Sequence, residues 1–131
     1  LTLLRRLQER LRLGVIYITH DLATTRFFSE WALIMYAGHV MEKAFTQEIL
    51  RNPLHPYTRA LLTATPEPNP ENRNRFKQVP PGEPPALIDP PKSCRFSPRC
   101  PHAFDKCFKE EPPEFEAASG HWVKCWLYER S

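Results

Sequence analysis

Four cysteines near one end of the chain form the pattern that most clearly predicts chemistry. Cys94, Cys100, Cys107 and Cys125 are spaced C-x5-C-x6-C-x17-C. Four thiolates can complete the ligand set of a zinc ion or an iron–sulfur cluster, and four cysteines can also form two disulfides. Structural zinc sites usually use close C-x2-C pairs, and the sequence contains none. The wide, uneven spacing suits separate loops wrapped around a larger object, but spacing alone leaves all three possibilities open.

A second candidate is His20, which follows the apolar run Val15–Ile18 and precedes Asp21. The run is β-branched and aromatic, which predicts a buried parallel strand. Open α/β sheets place their ligand chemistry at the carboxyl ends of such strands, so His20 and Asp21 are site candidates. The alternative is a histidine at a strand end that bonds only to a local carbonyl.

Alternating helices and strands are predicted to position His20, so the fold class is α/β over residues 1–64. Apolar spacing predicts a helix over 1–12 ended by Gly14. Thr46 suits a helix N-cap, and Pro56 suits the first turn of another helix. The remaining predicted elements are a strand at 15–18, a helix at 22–30, a strand at 32–36, a turn at 37–39, a strand at 40–42, and helices at 47–50 and 57–64.

The rest of the chain divides by composition into an arm and a tail. Residues 65–92 are rich in proline, which disfavours helix and central strand and predicts an extended arm. Residues 93–131 hold all four cysteines. So short a segment buries too little apolar area to offset its ordering entropy, so we expect a small irregular tail stapled by metal or disulfides.

Composition excludes several classes of protein. The chain has 131 residues and a formal charge of +3, a mild excess compared with a dedicated nucleic-acid binder. No stretch of about 20 apolar residues predicts a membrane span. The chain starts on Leu1 in an uncapped helical pattern, so we expect it to be part of a longer protein. None of its four glycines precedes a lysine, so it has no phosphate-binding loop.

The motifs together resemble the ATPases of ABC transporters. The stretch from 15 to 42, with Thr-His-Asp ahead of a helix and a Gly-containing hairpin, resembles their switch region. The segment "NPLHPYTRALL" and the cysteine-containing stretch from 79 to 107 resemble the oligopeptide and dipeptide branch. This resemblance implies that His20 stabilises the γ-phosphate of ATP, with Asp21 in support near the nucleotide dimer interface.

The resemblance also implies cofactors, partners and location. Members of the branch bind a four-iron, four-sulfur cluster, so an iron–sulfur cluster is expected at Cys94, Cys100, Cys107 and Cys125, with zinc as second choice. The nearby Arg95, Arg99, Lys106 and Lys124 could offset cluster charge or be solvated. ATP and Mg²⁺ would bind only in the full-length parent. Expected partners are a second ATPase subunit and transmembrane permease subunits, at the cytoplasmic face of a bacterial or archaeal membrane, with no nucleic acid.

Two other functions fit parts of the sequence. A small metal-stapled binding module, with zinc and a nucleic-acid partner, would use Arg73, Arg75 and Lys77. The alternating charge signs nearby argue against this, because nucleic-acid binders interleave basic residues with exposed aromatics. An electron-transfer protein would use the cluster for redox chemistry, but no residue pattern identifies a redox partner.

Overall fold

The computed structural model describes residues 2–27, 29–64 and 88–129, and the predicted mixture of helices and short strands is confirmed there. Two single turns of 3-10 helix lie at Ser97–Arg99 and Trp126–Tyr128. The strands are β1 (Trp31–Tyr36), β2 (His39–Phe45), β3 (Phe115–Ala118) and β4 (His121–Val123). The helices are α1 (Thr2–Leu11), α2 (Leu22–Thr25), α3 (Thr46–Arg51), α4 (Pro56–Ala64) and α5 (Asp105–Lys109).

One antiparallel sheet joins the tail to the hairpin that follows His20. Its strand order is β1-β2-β4-β3, and β2 pairs with β4 with Glu42 opposite Val123. Beyond that pair, the Lys124 N–H donates to the Met41 carbonyl at 2.8 Å. Neither tail strand was predicted from sequence. The cysteine-containing tail is therefore hydrogen-bonded to the hairpin.

The β1–β2 hairpin turns where the sequence predicted it. Ala37 and Gly38 form the two-residue turn, with φ of 47° and 81°. Positive φ at both positions matches the right-handed twist of the flanking strands, and glycine adopts it at little cost. β2 is longer than the predicted 40–42, because its later residues continue to pair with β1 as far as Trp31 opposite Phe45.

The two faces of β1 differ in burial. Ala32 and Ile34 point inward and pack with Ala44 of β2 and Ile49 of α3. On the other face, Trp31 is 42 % exposed and contacts Phe45, with ring centroids 4.4 Å apart. Leu33 and Met35 on this outer face are each more than half exposed. The outer face of β1 is therefore an apolar surface open to solvent.

The predicted strand Val15–Ile18 is wrong, because these residues form neither helix nor strand in the structure. Ile16 and Ile18 are each 92 % exposed. A parallel strand that is apolar on both faces needs a neighbouring strand and covering layers. The strands of the described residues pair with one another in an antiparallel sheet instead. Where a buried strand was expected ahead of His20, there is an exposed apolar segment.

Three predicted helix boundaries also need correction. The helix expected over 22–30 ends at Thr25, and Thr46 is inside α3, with Phe45 at the N-cap position. α1 ends before Gly14, because Arg12 takes the left-handed conformation and the Leu13 N–H donates to the Gln8 carbonyl. The prediction for Pro56–Ala64 is confirmed.

Most of the predicted arm at 65–92 lies outside the described residues. Its described end, residues 88–92, forms neither helix nor strand. Within the described ranges, no helix is both long enough and apolar enough to cross a bilayer.

Candidate functional site

His20 is exposed and lies two residues before α2. The Thr19 hydroxyl accepts the Asp21 N–H at 3.0 Å, and the Asp21 carbonyl accepts the Thr24 hydroxyl at 3.0 Å. These bonds shape the turn that leads from His20 into the helix. The imidazole is therefore available to a group outside the described structure, and it takes no part in the core around the cysteines.

Polar contacts attach the segment after His20 to the sheet. The hydroxyls of Ser29 and Thr46 lie 3.0 Å apart and form a hydrogen bond. The Thr46 N–H donates to the Glu30 carbonyl at 2.8 Å, and Leu22 of α2 packs against the core beneath β1. These contacts couple the segment to the hairpin, so a displacement of either one would shift the other.

Three of the four cysteines lie in or against one apolar core, and Cys125 lies in a second one with Leu54 and Val123. The Cys94 N–H donates to the Cys107 carbonyl at 3.0 Å, which joins the first cysteine to α5. Cys100 and Cys125 stand at the ends of the two 3-10 turns. Cys94 and Cys107 share a core with Tyr36, Met41, Phe96 and Trp126, and Cys100 packs against it. The fold thus gathers residues that the sequence spreads over 32 positions.

Burial raises the pKa of the Cys94, Cys100 and Cys125 thiols, that of Cys125 to about 11. At Cys125, the negative charges of the other three cysteines raise the pKa further. Backbone hydrogen bonds act in the opposite direction, because an N–H donor stabilises a thiolate. The donor is two residues beyond the cysteine in each case, and the pairs are Cys94 with Phe96, Cys100 with His102, and Cys125 with Leu127.

The four thiols are close enough to interact electrostatically, but they are not arranged around a single ion. All four are free of disulfides. Among residues 2–27, 29–64 and 88–129, no group of three or more His, Cys, Asp or Glu side chains is placed to hold a metal ion. Four cysteines around one zinc would lie about 3.8 Å apart, given Zn–S bonds of about 2.3 Å. As placed in the described residues, the cysteines therefore form no preassembled site for a metal ion.

Glu42 is fully buried and receives three hydrogen bonds. Its Oε1 accepts the Leu54 N–H at 2.8 Å and His121 Nε2 at 2.7 Å, and its Oε2 accepts the His55 N–H at 2.9 Å. His121, the first residue of β4, is also buried. One carboxylate thus connects β2, the residues leading into α4, and the tail.

His55 caps α4 with its side chain. Its Nδ1 accepts the Tyr57 N–H at 3.0 Å, Pro56 has no N–H to satisfy, and Tyr57 packs against Phe96. Because Nδ1 accepts, the neutral ring has its proton on Nε2, which is buried with no acceptor in hydrogen-bonding range. The backbone of Lys124 lies near enough to favour the charged ring slightly.

Burial, aided by the nearby Arg59 charge, lowers the pKa of His55 from 6.5 to about 4. The unfolded chain therefore takes up a proton at His55 below pH 6.5, whereas the folded chain takes it up only near pH 4. We expect the free energy of unfolding to be unaffected by His55 above pH 6.5. It should fall between pH 6.5 and 4, by at most about 1.4 kcal/mol per pH unit from this residue. Urea unfolding across this range measures the slope.

His55→Asn is the matched variant, because asparagine keeps an N-cap acceptor and does not titrate. Its unfolding free energy should change less steeply than wild type between pH 6.5 and 4. The other histidines are the same in both proteins, so their contributions cancel in the comparison. Parallel pH profiles for the two proteins would show that His55 is protonated equally in the folded and unfolded chain.

Sequence reasoning missed Glu42, His55 and His121. The available signal was His55 directly before Pro56, since a polar residue ahead of an N1 proline suits an N-cap. Glu42 and His121 lie 79 residues apart, so only the fold reveals their bond. Neither residue stands out from composition or local spacing.

Comparison with known proteins shows the family. Residues 41–107 match the model of the oligopeptide/dipeptide transporter C-terminal region. The chain belongs to this family. The match includes most of strand β2, helix α4, and three of the four cysteines.

Three relatives of this transporter-family chain are similar over nearly its whole length. The oligopeptide transport ATP-binding protein OppF of Escherichia coli is 44% identical over 94% of the chain and 37% of the relative. A putative peptide import ATP-binding protein of Brucella ovis is 41% identical over 94% and 38%. The dipeptide transport ATP-binding protein DppF of Haemophilus influenzae is 40% identical over 96% and 38%. The chain thus spans less than two fifths of the length of these relatives.

Proposed function

We propose that this chain is the C-terminal part of the ATP-hydrolysing subunit of a peptide importer, and that His20 acts on the γ-phosphate of ATP. The observation behind the proposal is the family match of residues 41–107, which begins within the hairpin that follows His20. The names of the relatives, which are ATP-binding proteins for oligopeptide, dipeptide or peptide transport, support the same function. Permease subunits and a second ATPase subunit are the proposed partners, at the cytoplasmic face of the membrane.

The exposed apolar surfaces support a larger assembly. Ile16 and Ile18 stand free ahead of His20, and the outer face of β1 exposes Trp31, Leu33 and Met35. Apolar surface on this scale usually packs against another part of a protein. We propose that these surfaces pack against the rest of the ATPase domain. In the full-length subunit, that part of the domain would also carry the phosphate-binding loop. Covered on both sides, residues 15–18 would then have the neighbours that a buried strand requires.

His20 can serve a phosphate from its exposed position at the start of a turn. An imidazole N–H directed at the γ-phosphate would stabilise the negative charge of the transferring group, and it would help to orient the attacking water. The hydrogen bond from the Asp21 N–H to the Thr19 hydroxyl fixes the backbone on either side of His20. Little conformational entropy is therefore lost when the imidazole contacts the phosphate in the transition state.

Replacing His20 in the full-length subunit tests this function. We expect His20→Ala to lower the ATP hydrolysis rate by a factor on the order of 10² or more and to change ATP affinity little, because the lost contact forms mainly in the transition state. His102, an exposed histidine of the tail, is the matched control, and His102→Ala should hydrolyse ATP at the wild-type rate. Equal losses of hydrolysis and affinity in His20→Ala would assign it a structural role instead.

We also propose that Cys94, Cys100, Cys107 and Cys125 hold an iron–sulfur cluster, of the four-iron, four-sulfur type. Four free thiols provide the complete ligand set. Backbone N–H donors already face three of them, as a charged sulfur requires.

A buried donor beside the first cysteine also fits such a cluster. Arg95 Nε is buried and has no hydrogen-bond acceptor. A buried N–H without an acceptor costs about 1–3 kcal/mol, which an anionic sulfur nearby would recover. When bound, the cluster would tie the turns at Cys94 and Cys100 to α5 and to the end of β4. Its principal role would then be to hold the tail in place.

A further inference from the structure

Helix α2, which begins two residues after His20, is a single turn. A helix of this length has little stability of its own, so its orientation depends on contacts with the rest of the fold. Leu22 packs against the core beneath β1, and Thr25 is buried. The remaining attachment of α2 is polar and lies at its far end, after Thr25.

Hydroxyl groups link α2 to α3 through a chain of hydrogen bonds. The Ser29 hydroxyl donates to the Thr25 carbonyl at 2.9 Å. A hydroxyl has one proton to donate, so Ser29 Oγ accepts at the 3.0 Å contact with Thr46, and the Thr46 hydroxyl donates. The Thr25 hydroxyl in turn donates to the Leu22 carbonyl at 2.6 Å. The chain therefore runs from the first residue of α3 to the first residue of α2, beside the turn that carries His20.

Thr46 is the anchored end of this chain. Only 1 % of its surface is exposed, and Ala44 and Ile49, on either side of it in sequence, are fully buried. Its N–H donates to the Glu30 carbonyl at 2.8 Å, so Thr46 holds two successive residues, Ser29 and Glu30. It thus ties the segment after α2 to the most buried part of the hairpin.

We propose that Thr46, acting through Ser29, positions His20 for the γ-phosphate of ATP. This inference rests on the proposed function of His20. Thr46 is a positioning residue, because it reaches the histidine only through α2. Without its hydroxyl, α2 would keep its apolar contact but lose the bond that fixes its far end. The imidazole would then reach its productive position less often, although no group that binds ATP is removed.

The test is steady-state ATP hydrolysis by the full-length subunit carrying Thr46→Val, which removes the hydroxyl and keeps the branched side chain. We expect kcat to fall about tenfold and KM for ATP to change little. Thr46→Ser keeps the hydroxyl and should hydrolyse ATP at close to the wild-type rate. Thr63→Val is the matched control, because the exposed Thr63 donates to the Arg59 carbonyl of its own helix. Its kcat should equal that of wild type.

A double variant distinguishes positioning from a general loss of structure. In a subunit that already carries His20→Ala, Thr46→Val should lower kcat little further, because the group that it positions is gone. Ser29→Ala removes the acceptor of the same bond and should show the same dependence on His20. A tenfold loss in both backgrounds, or wild-type kcat in Thr46→Val, would overturn the role of Thr46 and leave that of His20 standing. Hydrolysis at the wild-type rate by His20→Ala would overturn both.

Discussion

Glu42→Ala is expected to lower the free energy of unfolding by about 3 kcal/mol or more, because each of three buried donors loses its acceptor at a cost of about 1–3 kcal/mol. The alanine leaves the Leu54 N–H, the His55 N–H and His121 Nε2 without their shared acceptor. The side chain is fully buried, so water cannot replace the carboxylate without opening the core. Urea unfolding of the chain at neutral pH gives the change.

Glu48→Ala is the matched control for this loss. Glu48 is an exposed glutamate on α3, and its removal should change stability by no more than about 0.5 kcal/mol. Glu42→Gln should fall between the two, because the amide keeps one oxygen acceptor but turns an NH₂ group toward a backbone donor. Unfolding free energies that are the same for Glu42→Ala and Glu48→Ala would show that Glu42 does not connect the three segments.

Loss of the cluster is expected to release the tail, which is the second large effect. Cys125→Ala removes one of four thiolate ligands, so the chain purified without oxygen should lose its iron and its absorbance near 400 nm. Because the buried residues of the tail cluster around the cysteines, amide exchange in α5, β3 and β4 should then speed up strongly. Hydrogen-exchange mass spectrometry measures this region by region.

The rest of the sheet should respond less. Ala32, Ile34, Ala44 and Ile49 form a core that contains no tail residue, so β1 and α3 should keep most of their protection. Ser119→Ala, at an exposed turn residue of the tail, is the control and should retain iron and slow exchange. A Cys125→Ala tail that exchanges as slowly as wild type would contradict the cluster as its staple. Metal analysis that finds one zinc per wild-type chain would show that the cysteines bind zinc and not an iron–sulfur cluster.

The local patterns of the hairpin and of α4 were sufficient to predict them. Gly38 accepts the positive φ that the turn requires, and Pro56 marks the first turn of a helix. These features depend on neighbours in sequence, and the structure agrees with them. The family was also recognisable from motifs within the sequence.

The strand Val15–Ile18 shows why other predictions failed. Its composition is that of a buried strand, but a strand forms only where partners and covering layers exist. Conversely, β3 and β4 contain Glu116 and His121 and are joined by a glycine-containing turn, which is a weak sequence signal for strands. They form because β4 pairs with the edge of β2 and β3 pairs with β4. Tertiary pairing decided both outcomes.

The site was predictable by residue type and not by geometry. The sequence identified the four cysteines, and the structure places Cys94 and Cys107 in one core with Cys100 packed against it, and Cys125 in a second core. The supporting contacts of Glu42 with His121, and of Arg95 with His39, span 79 and 56 positions. No local rule connects residues that far apart, so those contacts had to come from the fold.

The proposed function is tested most directly by peptide uptake in cells whose only copy of the full-length subunit has His20 replaced. Uptake of a labelled oligopeptide should be present with the wild-type subunit and with His102→Ala. It should fall to the level of cells lacking the subunit with His20→Ala, although the altered protein is made and associates with its permease. Uptake at the wild-type rate in His20→Ala cells would contradict the role of this segment in ATP-driven peptide import.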